Sequence, residues 1–210
     1  MALFQKRPDV ASHLPIYTLG LNKTLLIVGL GNIGKQYDGT RHNIGFAAVD
    51  ALASNQSFEP WVNKKDLKCH ITTQTIGDAR VMLVKPTTLM NLSGEAVQAV
   101  AHFYKIPHNL ITVVHDEMDI PFGQIRTRMG GGSAGHNGIK SVSQHISEDY
   151  GRIRIGIQAE TPMAAADFVL SSFSEQEQSH MPELLKETTA ILTEYIYGSQ
   201  LPNETRNFLV

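Results

Sequence analysis

With 210 residues, 42% of them hydrophobic, the chain carries enough apolar surface for one compact α/β-sized domain that needs neither disulfides nor a structural metal. Its single cysteine, Cys69, excludes an internal disulfide and most structural zinc patterns, which fits a reducing, cytoplasmic setting. The formal charge of -2 hides an uneven spread: Arg126, Arg128, Lys140, Arg152 and Arg154 outnumber Glu148 and Asp149, whereas residues 173–204 are strongly acidic, so separate basic and acidic faces are expected.

No apolar run approaches the roughly 18 residues of a membrane span. Residues 1–23 mix Pro8, Asp9, Pro15 and Thr18 among apolar positions and make a poor signal or transit peptide; they read as an N-terminal extension to a domain over 24–210. The apolar run Thr24–Val28 predicts a buried strand, and the amphipathic stretch Thr40–Ser54 predicts the helix after it. Residues 67–85 predict two strands joined at Gly77 and Asp78, then a loop and a helix from Ser93 to about Tyr104. Leu110–Val114 predicts another buried strand, and the alternation in Gln124–Met129 a half-exposed one. Glycines break the chain over 130–135 before a helix from about Ile139; Arg152–Ile157 is a further strand, and Ser174 with Glu177 forms a capping-box pattern opening a long acidic helix. No repeat, linker or low-complexity tract interrupts this order.

In open α/β sheets, ligands bind outside the carboxyl ends of the strands. Asn32, Asn91 and Asp116 each follow a predicted strand, so parallel neighbouring strands would bring them into one crevice. His42 falls near the start of the first helix with Thr40 as its N-cap, where the helix field favours neutral imidazole; a carboxylate such as Asp116 would orient the ring and stabilise its protonated form. Such a pair suits activation of water. Asn91 and Asn137 both donate and accept hydrogen bonds, which suits positioning of water and amide without adding charge.

Two motif matches mislead. Gly29, Gly31 and Gly34 have the spacing of a dinucleotide-binding loop, but Asp50 lies in a predicted helix where that fingerprint needs the end of a second strand. Gly131–Gly135 matches a nucleophile elbow at Ser133, but the preceding strand carries Arg126 and Arg128 where an elbow strand is apolar. His115, Asp116, Glu117 and Asp119 invite a metal reading, yet alternation along a strand lets at most two share a site, so no metal is expected.

The ordered set GLGNIGKQYDGTRHNIGF, KPTTLMNLSG, HDEMDIPFG, GGGSAGHNGIKS and RIRIGI resembles the bacterial-type peptidyl-tRNA hydrolases, over roughly Leu25–Leu170. The resemblance implies a single-domain, three-layer α/β fold with a twisted mixed central sheet between helices. It implies a monomer without cofactor that hydrolyses the ester joining a peptide to the terminal ribose of tRNA. Carried onto matching positions, His42 would activate water, Asp116 would stabilise its protonated form, and Asn32 would help separate blocked from free aminoacyl-tRNA. Tyr37, Leu89, Met90, Asn91, His136 and Asn137 would line the substrate site. Arg126, Arg128, Lys140 and Arg154 would meet tRNA phosphates. Three departures stand out: Ile33 where the family has proline, Leu89 where it has phenylalanine, and Gln158–Met163 where it has a Gly- and Pro-rich loop. A serine esterase using Ser133 and a non-catalytic RNA-binding protein are the competing readings.

Overall fold

The computed structural model describes residues 23–158 and 164–209. The N-terminal extension therefore lies outside the described residues except for Lys23, as do 159–163 of the Gln158–Met163 segment. Eight strands, β1 (Lys23–Gly29), β2 (Val62–Lys64), β3 (Cys69–Ile76), β4 (Ala79–Pro86), β5 (Ile111–Pro121), β6 (Gln124–Met129), β7 (Gly151–Gln158) and β8 (Glu204–Asn207), form one sheet in the order β2-β3-β4-β1-β5-β7-β6-β8. The four central strands, β4, β1, β5 and β7, are parallel to one another, and the outer strands run antiparallel. The helices are α1 (Ile44–Asn55), α2 (Ser93–Tyr104), α3 (Asn137–Ile146), α4 (Ala165–Val169), α5 (Glu175–Ser179) and α6 (Met181–Gly198).

Strand alternation divides the core in two. Leu25 and Ile27 of β1 turn to one face with Val49 and Leu52 of α1 and Ile191 and Leu192 of α6. Leu26 and Val28 turn to the other with Val97 and Val100 of α2 and Ile139 and Val142 of α3. The mixed sheet between two helical layers is the architecture expected. Because β4, β1 and β5 are parallel and adjacent, their carboxyl ends form a single edge from which the site rises.

Four sequence expectations shift. β5 continues to Pro121 because it keeps pairing with β7 beyond the end of β1: Gly29 pairs with Val114, whereas Asp116 is still paired, with Ile155. Asp116 is thus inside a strand rather than after one. A 3-10 turn over Arg41–Asn43 precedes α1, and the Thr40 hydroxyl donates to the Tyr37 carbonyl at 2.8 Å instead of capping the helix. The Ser174–Glu177 capping box opens the short α5, while the long acidic helix starts afresh at Met181 with Pro182 in its first turn. The edge strands β2 and β8 and the short α4 have no counterpart in the sequence reading.

The approach of α1 to the sheet rests on Gly45. A Cβ there would lie 2.4 Å from the Val114 carbonyl oxygen and 2.6 Å from the Leu30 nitrogen, and backbone cannot swing aside as a side chain can. Gly45→Ala is expected to lower unfolding free energy by about 3 kcal/mol, at the upper end of ordinary overpacking. Urea denaturation with an unchanged slope would check it. Because Gly45 lies three residues after His42, the same close approach fixes the depth at which the histidine enters the molecule.

Candidate active site

His42 and Asp116 meet. The His42 Nδ1 lies 2.9 Å from Asp116 Oδ1, and both residues are buried. Alternation explains the approach, since Val114 and Asp116 share the face of β5 that α1 covers, and the 3-10 turn delivers His42 at the head of that helix. With Nδ1 donating to the carboxylate, the His42 Nε2 keeps its lone pair.

Asp116 Oδ1 also accepts from a second ring, His136 Nε2, at 3.0 Å. The His136 tautomer follows from its other nitrogen: Nδ1 accepts from the backbone N–H of Gly138 at 3.1 Å and of Ile139 at 3.2 Å, so the proton must sit on Nε2. His136 is thereby the N-cap of α3 as well as the carboxylate's second donor. Burial alone would push the Asp116 carboxyl up; its interactions with His136, then with His42, each donating a ring N–H to Oδ1, outweigh it and hold the group well below the usual carboxylate range. A permanent anion is left facing His42. His115, fully buried behind the His136 ring at 4.8 Å between centroids, is pushed well below the usual histidine range, chiefly by burial, and stays neutral.

A cleft runs past His42. One cavity of about 290 Å³ is lined by His42, Asp116, His136 and Asn137, with Ala166 and Val169 of α4 opposite. A second, of about 300 Å³, shares His42, Asn137, Ala166 and Val169 and adds Asn32, Tyr37, Leu89, Met90 and Asn91. The nine residues singled out as catalytic or substrate-lining therefore all border this cleft, although they come from four separate stretches of chain. Leu89 is exposed at its rim, and Ile33 is exposed in the loop that carries Asn32.

Asn32 is held in an unusually complete way. Its backbone N–H donates to Asn43 Oδ1 at 2.8 Å, its carbonyl accepts from Asn43 Nδ2 at 3.0 Å, and its side-chain oxygen accepts from the Met90 N–H at 2.8 Å. The amide NH₂ is what Asn32 has left to offer a substrate. Asn43, which carries the clamp, was missed as a site residue; its only sequence signal was its place in the TRHN signature directly after His42.

The four basic candidates border neither cavity. Arg126 and Arg128 on β6 pair directly with Arg154 and Arg152 on β7, so four guanidinium groups share one face of a two-stranded ribbon. That face lies opposite the one on which Ile125, Ile153 and Ile155 meet the acidic α6, so the sheet itself separates the two charge signs. Among the described residues none of the four arginines forms a salt bridge, and the Nε atom of each is buried without a partner. Arg152 is committed internally, donating to the Gly132 carbonyl at 2.6 Å and Ser143 Oγ at 3.3 Å. Lys140 is exposed on α3.

Ser133 has no support as a nucleophile: among the described residues no hydrogen bond joins its hydroxyl to an imidazole, and its carbonyl caps the turn by accepting from the His136 N–H at 2.9 Å. Asp50 sits on α1 and pairs with Lys85 at 2.6 Å, away from any dinucleotide role. His42, Asp116 and His136 are the group among the described residues whose donor atoms, all within 4.8 Å of one another, could gather around a metal ion. Two hydrogen bonds converging on one carboxylate oxygen account for their spacing.

A family model described as peptidyl-tRNA hydrolase matches residues 26–208. The chain belongs to the peptidyl-tRNA hydrolase family. It is 42% identical over 176 residues to the peptidyl-tRNA hydrolase of Bartonella henselae, covering 83% of this chain and 90% of the relative. It is 44% identical over 163 residues to that of Cereibacter sphaeroides, covering 77% and 71%. The crystal structure of the peptidyl-tRNA hydrolase of Acinetobacter baumannii superposes with a TM-score of 0.78 at 34% identity, covering 84% of this chain and 90% of that one. The eight-stranded mixed sheet is therefore a peptidyl-tRNA hydrolase fold, and the resemblance read from five short motifs extends through β8.

Proposed function

We propose that this chain hydrolyses the ester between a peptide, or an N-blocked aminoacyl group, and the 3′-terminal ribose of tRNA by means of a water activated at His42. The 2.9 Å contact between His42 Nδ1 and Asp116 Oδ1 at the floor of the cleft carries the reading. Water attacks the ester carbonyl as the Nε2 lone pair takes its proton, and the anionic Asp116 stabilises the imidazolium that results. Collapse of the tetrahedral intermediate breaks the bond to the ribose oxygen, to which His42 returns the proton, leaving a free tRNA hydroxyl and a peptide carboxylic acid that loses its own proton to solvent. No covalent intermediate is needed, and general-base assistance of this kind contributes about 10²- to 10⁴-fold.

Asn32 supports selection of blocked substrates. With its oxygen occupied by Met90, it offers N–H groups, which match a peptide carbonyl and repel an α-ammonium that must also be desolvated on entry. Asn91 and Asn137 hold water and the acyl group from the cleft walls, and Tyr37, Leu89, Met90 and His136 complete its lining.

The arginine ribbon is the site for tRNA phosphates. Like charges placed directly opposite on neighbouring strands are destabilising, and an incoming polyanion relieves that cost. Arg126, Arg128, Arg154 and Lys140 contact phosphate, whereas Arg152 holds the glycine loop beneath them. Raising salt is expected to raise KM with kcat nearly constant, and Arg126→Ala or Arg154→Ala to flatten the plot of log KM against log salt by about one unit for each phosphate that the variant leaves unneutralised.

The enzyme works as a monomer, as the family resemblance implies, and in a reducing cytoplasm, a reading supported by its single cysteine, Cys69, which is buried. Among the described residues no helix is long and apolar enough to cross a membrane. The test is release of N-acetyl-amino acid from N-acetyl-aminoacyl-tRNA with chelator present and nucleotide absent. Turnover under those conditions supports the reading; tRNA binding without release would favour a binding module, and loss of release on adding chelator would reopen the metal question.

A further inference from the structure

The α4 segment forms the cleft wall opposite His42, since Ala166 and Val169 border both cavities. One side chain joins that wall to the catalytic turn. Arg41, directly before His42, is 5% exposed, and it reaches forward to residues 168–177. Its guanidinium is stacked between the rings of Phe168, 4.5 Å from the centroid, and Phe173, at 4.7 Å. Nη1 and Nη2 donate to the two Glu177 carboxylate oxygens at 2.7 and 2.6 Å, and Nε donates to Ser171 Oγ at 3.3 Å. The Arg41 backbone N–H donates to the Ser171 carbonyl at 3.0 Å, and Thr40 forms a β-bridge with Ser172. Glu177 Oε2 also accepts from the Ser174 N–H at 2.7 Å, so the capping box of α5 and the Arg41 fork share one carboxylate.

We propose that Arg41 is a positioning residue that sets the distance between the His42 turn and the α4 wall, and through it the strength with which the cleft grips the acyl end of the substrate. A planar guanidinium serves because it can stack on two rings and present a two-pronged donor at once, which an ammonium cannot. The wall touches the substrate in both ground and transition states, so loosening it removes uniform binding and appears in KM rather than kcat. This assignment rests on the hydrolase reading for its kinetic consequence but not for its structural one.

Two variants separate positioning from general stability. Glu177→Gln keeps a capping residue at the third position of α5 and leaves Arg41 stacked, while it removes the charged fork. Arg41→Lys keeps the charge and removes the stack. Both are expected to raise KM for N-acetyl-aminoacyl-tRNA about five- to tenfold, with kcat changed less than threefold and the shape of the pH–rate profile unaltered. Both should also speed hydrogen exchange at the Asp167, Phe168 and Ser171 amides at least tenfold, with exchange in α2 unchanged. Wild-type KM and exchange at those amides in both variants would overturn the proposal, as would acceleration spread evenly over the whole chain. An inactive wild-type protein would sink the hydrolase reading alone, because the exchange measurement would still decide this one.

Discussion

His42→Ala is expected to lower kcat by about 10²- to 10⁴-fold while leaving tRNA binding within a fewfold of wild type. The geometry allows little substitution for the missing ring. His136 is the only other imidazole bordering the cleft among the described residues, and both its nitrogens are committed, Nδ1 to the α3 amides and Nε2–H to Asp116. It can neither take a proton from water nor turn toward one without uncapping α3. The carboxamides of Asn32, Asn91 and Asn137 remain in place, so residual turnover would report positioning without a base. Single-turnover release at saturating enzyme isolates the chemical step from product release. An unchanged rate there would mean that some other group activates water, whereas a large rise in KM with kcat retained would make His42 a binding residue.

The reason such a sharp expectation can be drawn lies in how unevenly the chain declares itself. β6 over Gln124–Met129 and α2 over Ser93–Tyr104 are legible to the residue, because alternation and 3.6-residue periodicity are local properties of half-buried elements. β2 and β8 are not, since three or four mostly exposed residues carry no alternation to read and are drawn into the sheet only by a neighbour's free edge. α4 is similarly silent: five residues with alanines at its start have no periodicity, and the segment is held by Arg41 from more than a hundred residues away.

The site divides along the same line. Its polar residues stand out in the sequence because each sits in a glycine-punctuated stretch after a predicted strand, and adjacency of β4, β1 and β5 then makes convergence a matter of topology. Roles that depend on a second hydrogen bond were beyond reach. Asn43 clamps Asn32 through backbone atoms, and His136 owes its tautomer to amides of its own helix. The Thr40 cap failed for a comparable reason, because a 3-10 turn of three residues intervenes before α1 and no propensity marks it.

Asp116→Asn separates the charge of the site from its shape. Both imidazole donors converge on Oδ1, and Oδ2 is buried without a hydrogen-bond partner, so an asparagine placed with its oxygen at the Oδ1 position keeps both bonds and loses the negative charge, while its NH₂ takes the Oδ2 place at a desolvation cost that does not vary with pH. The imidazolium formed on His42 then has no counter-charge, and kcat is expected to fall on the order of 10²- to 10³-fold. Stability provides an independent check. The folded carboxyl titrates well below its unfolded value of about 3.9, so the unfolded chain binds the proton first as pH falls. Its stabilising contribution is therefore complete at neutral pH and is lost below about pH 4, as pH descends toward the folded value. Wild type should be the more stable protein at pH 7 in urea denaturation, and the gap to Asp116→Asn should narrow between about pH 4 and pH 2. A gap that stays constant across that window would show that the carboxylate gains nothing from its two histidines in the fold, and with that the electrostatic half of the mechanism would fall.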